Sequence, residues 1–124
     1  SEEHLENMQR LIDKLIQPMR SSLGPIRISS GYRSPQLNQA IGGSTRSQHS
    51  KAQALDLQYW KKGKMDNEVI YKWVLKSDLE FDQMINEFDF SWIHISFVEG
   101  KNRKQVLEAY KDNEGYTKYR YAEV

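Results

Sequence analysis

The stretch "AQALDLQ" (residues 52–58) alternates small or polar residues with leucines. On a strand, Ala52, Ala54 and Asp56 share one face, and Gln53, Leu55 and Leu57 share the other. A second stretch, "SWIHISF" (91–97), divides in the same way. Ile93, Ile95 and Phe97 point to one side, and Trp92, His94 and Ser96 to the other. Each strand therefore offers one aliphatic face to a core and keeps a polar one.

Working outward, residues 2–22 read as a helix, with Leu5, Met8, Leu11, Ile12, Leu15, Ile16 and Met19 at helical spacing. Glu2, Glu3 and Glu6 suit its positive end. Pro18 is expected to kink this helix or end it early. "LGP" (23–25) marks a break, and "IRISS" (26–30) reads as a short strand. Residues 31–48 are rich in Gly, Ser, Gln and Asn. Within them "SPQLNQAI" (34–41) suits one or two helical turns, with Ser34 as cap and Pro35 first in the helix. "DNEVIYKWVLKS" (66–77) reads as a second helix capped by Asp66 or Asn67, with Val69, Ile70, Trp73 and Val74 facing the core. "FDQMINEF" (81–88) and residues 92–97 read as strands joined by a tight turn at "DFS". "QVLEAY" (105–110) fits a strand or a short helix, the strand being preferred. The tyrosine-rich tail from Lys111 is assigned no element. The order predicts an α+β fold, a small mainly antiparallel sheet with helices packed on one face.

The 124 residues suit one domain, 1–124, with a single modest core. With 18 basic and 17 acidic side chains, there is no basic surplus to point to nucleic acid. No apolar run reaches the roughly 18 residues of a membrane span. No signal peptide is visible, and the chain starts at Ser1 on a helical pattern, which leaves open what precedes it. There are no cysteines, so a metal must be held by His, Asp or Glu. The histidines are His4, His49 and His94; His4 reads as an exposed helix residue.

If the two strands are neighbours, Asp56 and His94 converge on their polar faces. His49, seven positions before Asp56, poses a geometric problem. On a straight strand the two lie roughly 23 Å apart on opposite sides, and on a helix about 10 Å apart. Ligands of one tetrahedral zinc lie only about 3–3.5 Å apart. Both bind one ion only if the chain turns back between them, which the small polar stretch Ser50-Lys51-Ala52 permits. Three ligands (His, Asp, His) leave a fourth position open for water, the pattern of a catalytic zinc.

"SGYRSPQLNQAIGGSTRSQHSKAQALDLQ" followed by "DQMINEFDFSWIHISF" closely resembles the zinc D-Ala-D-Ala carboxypeptidase family. This LAS group also includes L-alanyl-D-glutamate endopeptidases of phage endolysins and the hedgehog signalling domain. Ser47, His49, Ala54 and Asp56 match its pattern S-x-H-x-x-G-x-A-x-D. Trp92 and His94 match its W-x-H, and "SGYRS" (30–34) its Arg segment. The likeness covers roughly residues 10–110.

The resemblance implies a monomeric peptidase, with one zinc ion, acting on peptidoglycan stem peptides at the bacterial cell wall. It assigns His49, Asp56 and His94 as ligands and Glu87 as general base, with Asp89 as the rival base. Arg33 would pair with a substrate carboxylate or polarise the scissile carbonyl. Tyr32, Gln48, Trp92 and Ser96 would line the cleft. Ser47 would donate a hydrogen bond near the ligands or cap the turn. One departure stands out. Ala52 replaces the family's Gly, which adds strain of about 1 kcal/mol if the position needs positive φ. A carboxypeptidase and an endolysin-type endopeptidase, of phage or bacterial origin, both remain open. The rival readings are a non-catalytic zinc module of the hedgehog kind and a virion structural protein with this fold.

Overall fold

A computed structural model describes residues 2–30 and 51–123. The helical turns expected at 34–41, and Tyr32, Arg33, Ser47, Gln48 and His49, lie outside the described residues. The first apolar pattern folds as α1 (Glu2–Leu11), a π-helical turn (Ile12–Ile16) and α2 (Gln17–Leu23). Pro18 does not end this run early. In a regular α-helix its ring meets the carbonyl four residues back. Here the preceding turn is wider: Gln17 N–H donates to the Ile12 carbonyl, five residues back. Pro18 then sits in the first turn of α2, where a missing N–H costs little. Gly24 closes the run at φ +89°, its N–H donating to the Arg20 carbonyl.

There follow β1 (Arg27–Ser30), β2 (Ala54–Gln58), β3 (Trp60–Lys61), β4 (Lys64–Met65), α3 (Glu68–Lys76), β5 (Gln83–Glu87), β6 (Trp92–Ser96), β7 (Gln105–Lys111) and β8 (Thr117–Tyr121). Six strands form one sheet in the order β1-β2-β6-β5-β7-β8. Only the β5–β7 pair is parallel. The strand reading of 105–110 therefore holds, and the unassigned tail supplies β8. A separate β3–β4 hairpin, not foreseen, turns through Lys62 and Gly63 at φ +53° and +76°, the two positive values a tight hairpin needs.

The helices cover one face of the sheet. Leu11, Leu15, Ile16 and Met19 meet Ile70 and Val74 of α3 and Leu55, Leu57, Met84, Ile93 and Ile95 of the strands. Each such buried side chain contributes about 1.5–3 kcal/mol. Leu5, counted in the apolar stripe, is instead 73% exposed, and His4 is half-buried rather than exposed. Just before β5, buried Asp82 accepts from Arg103 Nε and Nη2 at 2.7 and 2.8 Å, and its carbonyl accepts from Gln105 N–H at 3.0 Å. These bonds set β7 alongside β5. Among the described residues no helix is long and apolar enough to cross a membrane.

Candidate metal and catalytic site

The face of the sheet turned away from the helices carries the polar residues. β2 and β6 are antiparallel neighbours, and Asp56 lies directly opposite His94. His94 Nδ1 approaches Asp56 Oδ1 at 3.2 Å, with 13% and 16% of the two side chains exposed. The next pair on the same face, Ala54 and Ser96, is small and buried. Alternation, together with the β2–β6 register, places these side chains together.

Two chain segments arrive at Asp56. β1 ends at Ser30, opposite Asp56, after a register slip between Ile28 and Ser30. Ser29 Oγ donates to the Asp56 carbonyl at 3.2 Å. On the other side, Ala52 has φ +56° and is buried to 1%, so the backbone turns sharply two residues before β2. Asn7 Nδ2 on α1 fixes this turn by donating to the Lys51 carbonyl at 2.9 Å. The backbone thus turns at Ala52, which lies between His49 and Asp56 in the sequence; His49 itself is outside the described residues.

Glu87 ends β5, opposite Trp92, two residues beyond Ile85, which faces His94. It therefore shares the face of Asp56 and His94, diagonal to His94 at about 7–8 Å between Cα atoms. It is buried. Asp89 differs. It is exposed, in the turn after β5. It borders a pocket of about 440 Å³ together with Asn86, Glu108 and Arg120, residues that alternate away from Glu87.

That turn is unusual. Phe88, Asp89 and Phe90 have φ of +49°, +54° and +62°, left-handed values that non-glycine residues seldom adopt. Several bonds hold it. Phe90 N–H donates to Asn86 Oδ1 at 2.6 Å, and Ser91 Oγ donates to the Phe88 carbonyl at 2.7 Å. Asn67 Nδ2 donates to the carbonyls of Phe90 and Ser91 at 2.8 and 3.0 Å. Of the two expected caps, Asp66 and Asn67, it is Asn67 that stands at the N-cap position of α3, but its side chain makes no capping bond. Its Oδ1 instead accepts from Tyr59 N–H at 2.8 Å. Asn67 thus ties the turn next to Glu87 to the segment after β2. The Phe90 ring meets Tyr71 edge-on at 5.4 Å, and Phe88 meets Trp92 at 5.6 Å.

Ser96, expected to touch substrate, is fully buried. Its hydroxyl accepts from Gln83 N–H at 3.0 Å, so it joins β5 to β6 beneath the site. Trp92 is half-buried beside Glu87. Sequence reasoning missed Tyr119 of β8, which lies on the Glu87 face of the sheet. Partial desolvation pushes its pKa up, and the charges of Glu87 and Asp56 push it further. The only signal was the alternation of Thr117, Tyr119 and Tyr121 with Lys118 and Arg120.

Among the described residues no group of three metal-competent side chains occurs; the Asp56–His94 pair is what the sheet assembles. Compared with known families, a model described as Peptidase M15 matches residues 2–96, well over half of the 124-residue chain. No curated protein matches the chain.

Proposed function

Because the chain belongs to the peptidase M15 family of zinc-dependent peptidases, we propose that it hydrolyses an amide bond in peptidoglycan stem peptides. The observation that carries this reading is the cross-strand pair Asp56–His94. An imidazole nitrogen and a carboxylate oxygen 3.2 Å apart have the separation of two ligands on one tetrahedral ion, about 3–3.5 Å. The donor set fits zinc. Asp56 and His94 would hold one ion, with His49 as the third ligand. When bound, zinc supplies Lewis-acid polarisation of the peptide carbonyl and acidifies water.

The remaining chemistry falls to side chains of the chain. Glu87 would take a proton from the attacking water on a carboxylate oxygen and return it to the leaving nitrogen. Its burial on the ligand face favours it over exposed Asp89, and favours an enzyme over a zinc module without a base. Arg33 stands three residues after Ser30, the strand partner of Asp56. Its planar fork suits a substrate carboxylate or the developing oxyanion. Tyr32, Ser47, Gln48 and Trp92 would complete the cleft.

The test is incubation of zinc-loaded protein with purified peptidoglycan, followed by mass spectrometry of the products. Loss of a terminal D-Ala identifies a carboxypeptidase, and internal cleavage an endopeptidase. His49→Ala and Asp56→Ala are expected to lose zinc and activity together. Glu87→Ala should retain zinc while its rate falls by about 10²–10⁴-fold; near wild-type cleavage by that variant removes Glu87 from the mechanism.

A further inference from the structure

We propose that Tyr119 is a substrate-binding residue of this site, its hydroxyl donating a hydrogen bond to a peptide bound beside Glu87. The inference rests on the peptidase reading. It concerns a part of the chain that the family match does not reach, since β7 and β8 follow residue 96.

The geometry is set by register. Glu87 pairs with Ala109 on β7, and Ala109 pairs with Tyr119 on β8. The three residues stand in one row on the face that holds Asp56 and His94. Adjacent strands lie about 4.8 Å apart, so Tyr119 and Glu87 are separated by two spacings, about 9.6 Å between backbones. The residue between them is alanine, buried to 2% exposure. Its methyl group is covered, so no groove opens between the two side chains; the exposed phenol stands at the edge of the row, where a peptide reaching Glu87 would meet it. Trp92 stands beyond Glu87 in the same row. Tyr119 is 56% exposed, so a ligand can reach it. A phenol is protonated at neutral pH and so can donate a hydrogen bond; partial desolvation, then the charges of Glu87 and Asp56, push the pKa of Tyr119 further up. Tyr121 shares the face and is more exposed, but its row runs through Leu107 and Ile85 to His94, three strands away, rather than to Glu87. It serves as the control.

Soluble muropeptides provide both readouts: cleavage by the zinc-loaded protein, and calorimetric binding to the metal-free protein. Tyr119→Phe is expected to raise KM and weaken binding about three- to tenfold, the worth of one hydrogen bond. Tyr119→Ala should do so by more than about tenfold, since the ring is lost as well. In both variants kcat, zinc content and melting temperature stay near wild type, and Tyr121→Phe changes nothing. If the wild type cleaves and both Tyr119 variants keep its KM and affinity, the inference is wrong and the peptidase reading stands. If the wild type neither binds nor cleaves muropeptides, both fall together.

Discussion

At Ala52 the backbone takes φ +56° while the methyl group is buried, so two effects oppose each other. Left-handed backbone costs a residue with a Cβ about 1–2 kcal/mol. Glycine would relieve that, but would lose about 0.8 kcal/mol of buried methyl and about 0.5–1 kcal/mol of chain entropy. Ala52→Gly is therefore expected to leave stability within about 1 kcal/mol of wild type. Ala52→Val, β-branched at positive φ, should destabilise by about 2 kcal/mol or more. Urea denaturation of the two variants measures both, and an Ala52→Val protein as stable as wild type would refute the account. The sequence raised this question at Ala52 because the family it resembles carries Gly at that position. It also made Asp56 and His94 legible, since each is a titratable residue on the non-aliphatic face of a strand with a clear period of two. It misplaced Ser96, because alternation assigns a face but says nothing of depth. It missed Tyr119 because β8 is exposed on both faces, so its alternation carries no contrast between apolar and polar.

Among the elements, the turn from β5 to β6 stands out, because three successive left-handed residues follow Glu87. Such strain persists only where the surroundings over-determine it. Here the clamp is Asn67, buried and bonded to Tyr59, Phe90 and Ser91. Asn67→Ala removes three hydrogen bonds of about 1 kcal/mol each and leaves buried backbone groups unpaired, so a loss of about 3–4 kcal/mol is expected by chemical denaturation. Asn67→Asp keeps the acceptor for Tyr59 but turns an oxygen toward two carbonyls, and should also destabilise. A variant of either kind with unchanged stability would mean that the turn holds itself. Local pattern showed the strands on both sides of this turn, and offered Asp66 or Asn67 as a helix cap. The clamp was hidden because two of its three partners, Phe90 and Ser91, lie more than twenty residues away. The π-helical turn before Pro18 was hidden for a different reason: apolar spacing fixes which face is buried, not whether the backbone bonds to the fourth or the fifth residue back.

Over the whole molecule the fold sorts chemistry by sheet face. The helices seal the aliphatic side, and the opposite side holds Asp56 and His94 on adjacent strands with Glu87 beside them. This division was readable from two short stretches. The parallel placement of β7 was not, because it depends on Asp82, Arg103 and Gln105 meeting across a connection. If Asp56, His94 and His49 share one ion, the ligands come from separate parts of the chain and assemble only in the folded state. Zinc then stabilises by mass action, by about 2.7 kcal/mol at a hundredfold excess over Kd. An unfolding entropy of about 2.1 cal/mol/K per residue makes that a rise of about 10 °C in melting temperature for a domain of this size. The rise should grow with the logarithm of free zinc and vanish with chelator. Asp56→Ala should abolish the rise. Glu87→Ala, which keeps every ligand, should retain it. A zinc-dependent shift of full size in Asp56→Ala would place the metal elsewhere, and would remove the cross-strand pair as the basis of the site.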